Sequence, residues 1–222
     1  MSCERLFSEI FPFWESLSTD EKHRLCDNAR EVRYARGTVV HDGASCPGLT
    51  IVRSGCLRAS LISEEGREVT LYRLHEEDFC MLSASCVIEA VTFDVHFIAE
   101  EDSDCFVLSA GAFAEVCARH PAAEIFALNK TVERFSDVRW VLQQILFLSL
   151  DRRLAGFLYD ESVRQKTDEL SFTHEDIARN IASAREAVSR LLKYFEGEGL
   201  VTLARGKVLL LDRARLRELA AN

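Results

Sequence analysis

Two patterns of apolar and polar positions divide the chain. From Val32 to about Ser109 short β-rich runs at 38–40, 49–52, 56–62, 69–72, 92–99 and 105–108 are separated by turns at Asp42-Gly43, Ser54-Gly55 and Glu65-Gly66. Several short strands with turn glycines at regular spacing predict a small all-β barrel or roll. Ahead of it, residues 6–13 and a segment from Ser18 to about Arg30 predict a helical lead-in, with Ser18 and Glu21 spaced as a capping box. After His120-Pro121 the spacing changes to three and four: Ile125, Leu128, Val132, Phe135, Leu142 and Ile145 make a helical stripe. That spacing fits a coiled-coil seam, which Arg139 interrupts, and core packing within one subunit would give the same stripe. Residues 148–151 break this helix and start another that runs to about Gln165, which places a hinge there.

Residues 173–195 hold two more helices. Thr173 and Asp176 are spaced to cap the first, whose buried stripe is Ile177 and Ile181, and a break at Ala182-Ser183 separates it from the second. At about 100° per residue around the second helix, Arg185, Ser189, Lys193, Glu186 and Arg190 fall within roughly 140° of one another. Leu191, Phe195, Val188 and Leu192 occupy the opposite face, so one side is wholly apolar and the other carries the long polar groups. Two arginines, a glutamate and a small hydroxyl on one face can read major-groove base edges. A guanidinium fork matches guanine O6/N7, and a carboxylate accepts from the cytosine amino group. The bland alternative is a solvated charged face. Beyond it, residues 199–203 and 208–211 flank Ala204-Arg205-Gly206-Lys207, a hairpin with a basic tip. Helix, turn, helix and basic hairpin together predict a winged helix-turn-helix, for which double-stranded DNA is the expected partner. Thr173, Lys193, Arg205 and Lys207 are placed to meet phosphate.

The segment FTHEDIARNIASAREAVSRLLKYFEGEGLV resembles the C-terminal domain of the CRP/FNR family of bacterial regulators. The family's R-E-x-x-x-R pattern matches Arg185, Glu186 and Arg190, and its E-x-x-S-R variant matches Glu186, Ser189 and Arg190. Glycines 37, 43, 55 and 66 resemble the spacing of the cyclic-nucleotide-binding β-roll, so the resemblance covers nearly the whole chain. It implies an α+β chain with a cyclic-nucleotide-binding-like β-roll with its N-terminal helices at 1–119, a long dimerisation helix and hinge at 120–147, and a winged helix-turn-helix at 148–222. It also implies a homodimer on a palindromic site with TGA-containing half-sites about 34 Å apart. Arg190 and Glu186 would read the G·C pair and Arg185 an adjoining base. There are departures. The family's turn glycine is Ala182 here, which costs about 1 kcal/mol if the site needs positive φ. The usual N-cap Ser or Thr is Ala184, and Ser183 with Glu186 could form a capping box one residue earlier, which would make Glu186 partly a capping residue.

Net charge opposes a DNA partner until it is split along the chain. The chain carries −9 overall, with 27 Lys and Arg against 36 Asp and Glu. Residues 171–222 hold nine basic against seven acidic residues, and residues 1–170 hold 18 against 29, so the acidity lies in the front. An acidic front repels phosphate and leaves contact to a small basic face. No apolar run approaches a membrane span and the start MSCERLFSEI has no signal pattern, which predicts a cytoplasmic protein with no membrane partner. Eight cysteines in that setting read as packed hydrophobes, metal ligands or redox thiols rather than a disulfide framework.

The β-roll is expected to sense an effector. Nucleotide-binding relatives hold the cyclic phosphate with a Gly-Glu pair and a later Arg-Ser or Arg-Thr. This chain lacks the first and has about Phe93-Asp94 at the second, so cyclic AMP and cyclic GMP are not expected ligands. Cys80, Cys86 and His96, with Cys105 beyond them, lie in that region. Thiolate and imidazole suit haem iron, zinc or a cluster, whereas buried thiols are more often inert. Haem-sensing relatives suggest His75, Cys80 or His96. The N-terminal cysteine cluster of the iron-sulfur relatives is not matched by Cys3 and Cys26. An unknown small effector remains, with RNA polymerase as a further partner if the protein activates. Two other readings stand beside this one. One is a cupin-like metal-binding enzyme, against which the six histidines form no H-x-H or H-x3-H pair. The other is a DNA-binding protein with no effector.

Overall fold

The computed structural model describes residues 3–42, 48–80 and 95–221. The lead-in forms α1 (Cys3–Ile10) and α2 (Thr19–Asp27), joined through one 3-10 turn at Trp14–Ser16. Ser18 and Glu21 make the capping box: the serine side chain accepts from the Glu21 N–H, and the Ser18 N–H donates to the Glu21 carboxylate at 2.9 Å. Helix α2 ends at Asp27, short of Arg30, because the chain turns there into a strand.

The strands that follow are β1 (Ala29–Tyr34), β2 (Val39–His41), β3 (Leu49–Ser54), β4 (Leu57–Ile62), β5 (Glu68–Leu74), β6 (Phe79–Cys80), β7 (His96–Ala99) and β8 (Ser103–Leu108). They form two four-stranded sheets, ordered β1-β8-β3-β6 and β2-β7-β4-β5. The predicted roll is therefore present, with β1 and β6 added to the strands read from sequence. Gly55, between β3 and β4, has φ +91°, and a Cβ there would lie 2.5 Å from the Asp102 carbonyl oxygen, so the turn excludes every side chain.

Phe7, Phe11, Trp14, Leu25, Phe79, Phe106 and Phe113 fill the core between the lead-in helices, the first sheet and α3 (Ala110–Arg119). A second cluster inside the roll contains Val52, Leu57, Tyr72, Leu74, Phe97, Cys80 and Cys105. Pro121 opens α4 (Pro121–Phe147), a position where its missing N–H leaves no helical bond unmade. At 27 residues the helix is about 40 Å long.

Helix α5 (Leu150–Gln165) begins after the break the sequence predicts, and Lys166 closes it in the left-handed region at φ 54°. Then come β9 (Glu169–Leu170), α6 (His174–Asn180), α7 (Arg185–Gly197), β10 (Val201–Ala204), β11 (Lys207–Leu210) and α8 (Arg213–Ala221). Strands β10, β11 and β9 form a three-stranded antiparallel sheet in which Ala204 faces Lys207 across the hairpin turn. A third core of Leu154, Leu158, Ile177, Val188, Leu192, Phe195, Val208 and Leu216 joins these elements. By contacts the chain divides into two units, one running to Leu61 together with Leu71–Val138 and the other made of Ile62–Thr70 and Arg139–Asn222.

Candidate nucleic-acid interface

Thr173 caps α6 as its spacing predicts: its hydroxyl accepts from the Asp176 N–H at 3.1 Å and donates to the Asp176 carboxylate at 2.6 Å. That hydroxyl is thus engaged in the cap rather than turned free toward phosphate. At the other end Ile181 is the C-cap, Ala182 follows at φ 50°, and the Ser183 N–H returns to the Ala178 carbonyl at 2.9 Å. This six-to-one closure is the helix ending that normally carries glycine at the left-handed residue. The Arg153 guanidinium reaches the Ile181 carbonyl at 2.6 Å from α5 and ties the turn to the helix beneath it. Sequence reading missed Arg153, because nothing local marks a contact made 28 residues away.

The turn delivers α7 with Ala184 as its N-cap and no side-chain cap bond. The alternative box from Ser183 does not form, so Glu186 is free of capping duty. Val188, Leu192 and Phe195 are buried and Leu191 is half-buried, which holds this face against the third core. On the other side Arg185, Glu186, Arg190 and Lys193 are exposed. Among the described residues none of these four makes a hydrogen bond or ion pair, and each keeps its full donor or acceptor set for a partner. Ser189 is half-buried among them, and its Oγ lies 2.8 Å from His174 Nδ1 on α6. His174 escaped the sequence reading; only its place as the first residue of a capped helix pointed to it.

The wing differs between its two basic residues. Arg205 is exposed and unpaired among the described residues, whereas the Lys207 ammonium is held by the Glu169 carboxylate across β11 and β9. A phosphate would have to compete with that carboxylate for Lys207.

Among the described residues, His75, Cys80 and His96 are not brought together as one ligand set. His75 is exposed on the turn after β5, with its N–H donating to the Asp78 carboxylate at 3.0 Å. Cys80, in β6, is 4 % exposed in the inner cluster. His96 sits on the other sheet opposite Ser60, and strand alternation turns it away from the face that Phe97 gives to that cluster. Cys86 and Phe93-Asp94 lie outside the described residues. Burial pushes the Cys105 thiol up to about 12, with Asp104 adding to it, and the Cys117 thiol up to about 11. Among the described residues no group of three or more His, Cys, Asp or Glu is placed to hold a metal ion. Haem, zinc or a cluster on Cys80 and His96 together does not fit this geometry. Among the described residues, too, no helix is long and apolar enough to cross a membrane.

Comparison with known proteins agrees with both halves of this architecture. Residues 152–219 match the Crp-like helix-turn-helix domain, and residues 31–120 match the cyclic nucleotide-binding domain. A solved structure from Eubacterium rectale ATCC 33656, described as a transcriptional regulator of the CRP/FNR family, is 40 % identical. The match covers 96 % of this chain and all of that one, with a TM-score of 0.91. The HTH-type transcriptional regulator Cmr of Mycobacterium tuberculosis is 24 % identical over 90 % of this chain and 80 % of its own. The c-di-GMP responsive regulator CLP of Xanthomonas campestris shares the fold at 19 % identity and a TM-score of 0.75, over 88 % of this chain and all of its own. The chain therefore belongs to the CRP/FNR family of DNA-binding transcription regulators, and it is a regulator rather than an enzyme.

Proposed function

We propose that the protein acts as a homodimer on a palindromic site with TGA-containing half-sites, switched by an effector bound in the β-roll. The observation that carries the base-reading part is the face of α7, where Arg185, Glu186 and Arg190 stand exposed, and unpaired among the described residues, beside Ser189. Arg190 and Glu186 read the G·C pair of the half-site, and Arg185 an adjoining base. Lys193 and Arg205 meet phosphate, with Thr173 and Lys207 joining once their intramolecular partners are displaced. The sensor, dimer-helix and DNA-binding segments run over 1–119, 120–147 and 148–222.

The dimer reading rests on α4. Ile125, Leu128, Val132, Phe135, Leu142 and Ile145 are all exposed within the chain, Val132 at 62 % and Phe135 at 63 %, so its own core does not use the stripe. A second copy laid along the same helix covers it, at the spacing of a coiled-coil seam. Sensing then works by differential affinity: an effector that prefers one arrangement of the paired helices changes the spacing of the two α7 helices. A protein that activates transcription also touches RNA polymerase. The site of action is the cytoplasm.

Selection from a randomised duplex pool by the full chain tests the reading. TGA half-sites in inverted repeat should emerge, and Arg190→Ala should cost about 1–3 kcal/mol while relaxing preference at one position. An equal loss on every sequence would remove Arg190 from base readout.

A further inference from the structure

We propose that His174 is a positioning residue for the DNA contact of Ser189: its Nδ1–H donates to Ser189 Oγ and turns the serine hydroxyl proton outward, toward an acceptor oxygen or nitrogen on the duplex. This rests on the DNA-binding reading of α7. The observation is the 2.8 Å separation between His174 Nδ1 and Ser189 Oγ, a bridge between the first residue of α6 and the second turn of α7. Ser189 lies one helical turn from both Arg185 and Lys193 and next to Arg190, so its hydroxyl sits in the middle of the face that meets the duplex.

A hydroxyl has one proton and two lone pairs, and a neutral imidazole has one N–H. Only two arrangements are open. When Nδ1 is bare, it takes the serine proton, and Ser189 offers DNA lone pairs alone. With the proton on Nδ1, Ser189 accepts from the ring and keeps its own proton for the partner. The targets decide between them. Every phosphate oxygen, thymine O4, guanine O6 and N7 and adenine N7 is an acceptor, and only the adenine and cytosine amino groups donate in the major groove. Lys193 and the two arginines draw the same face toward acceptors. The donating arrangement is the one that meets this surface, and His174 imposes it without touching DNA itself.

The test uses the full chain and the duplex recovered by selection. His174→Ala should weaken binding about 2- to 12-fold, the range of one neutral hydrogen bond. His174→Asn places an amide N–H where Nδ1 stood and should stay within about twofold of the parent on the same scale, while His174→Gln, which mimics the other ring nitrogen, should behave like alanine. Ser189→Ala should remove the effect, so that the double variant binds no more weakly than Ser189→Ala alone. A loss that is the same on all duplexes identifies the acceptor as phosphate, and one that vanishes when a single base pair is changed identifies it as a base. Urea midpoints of each variant separate folding from binding, and the Asn and Gln pair carries the comparison if alanine unfolds the turn. Losses that multiply in the double variant, or an asparagine as weak as alanine, would overturn the proposal. If no duplex is enriched at all, the reading of α7 fails and takes this one with it.

Discussion

Ala182→Gly should stabilise the DNA-binding unit, although it removes a methyl group from a folded protein. Ala182 holds φ 50° at the close of α6, where the Ser183 N–H reaches back to the Ala178 carbonyl. An L-residue in the left-handed region carries roughly 1–2 kcal/mol of contact between its Cβ and the following carbonyl. Glycine relieves that strain, but it also loosens the unfolded chain by about 0.4–1 kcal/mol. The difference leaves a net gain of about 0.5–1 kcal/mol. Only a side-chain methyl is lost, and the Arg153 bonds go to the Ile181 and Ala182 carbonyls, so glycine keeps them. For a unit of this size a gain of that order raises the melting temperature by roughly 2–8 °C. Urea unfolding followed by far-ultraviolet circular dichroism measures it directly, with an unchanged slope confirming that only stability moved. A lower midpoint for the glycine variant would mean that the methyl packs more than it strains, and the reasoning would be wrong.

Leu192→Ala removes a side chain fully buried behind the recognition face and should cost about 2–5 kcal/mol, read as a fall in urea midpoint. Phe135→Asp places a charge on the exposed stripe of α4 and should leave monomers in sedimentation experiments at micromolar concentration; an intact dimer would put the interface elsewhere. The His120 ring bonded to Glu21, with help from the Ser18 N–H and hydroxyl, lowers the Glu21 carboxyl to about 2. Because the folded value lies below the unfolded one, the stability it contributes is present above the ordinary carboxylate range and is lost as pH falls from about 4.5 toward about 2. Glu21→Gln should flatten the acid limb of the stability profile in that window, and an unchanged limb would assign it to other carboxylates.

Much of the fold was legible because its patterns are local. A capping box needs two residues three apart, and both Ser18 with Glu21 and Thr173 with Asp176 formed as spaced. The apolar face of α7 was equally plain, since helical periodicity alone sets which side is buried. Strand β1 was only partly legible: Arg30, Glu31 and Arg33 make it polar, and it is an edge strand, where charge is tolerated and apolar alternation is not required. The two-residue strands β6 and β9 carry no pattern of their own and exist through their pairing with β3 and β11. Helices α3 and α8 are short, and their stripes of Phe113, Val116 and Cys117 or of Leu216 gain meaning only from the cores they cover.

The sequence by itself determined what a residue's near neighbours decide: the longer strands of the roll, the capped helices, the helix-turn-helix with its hairpin, and the polar face of α7. Whether a given polar group is free to act was decided by tertiary structure. Arg185, Arg190 and Lys207 are alike as basic residues in the chain, yet among the described residues the two arginines have no partner and Lys207 is held by Glu169 from another strand. Cys80 and His96 are close in sequence, yet they belong to different sheets and opposite faces. Sequence spacing specifies direction within one element, whereas partnership depends on which elements the fold lays side by side.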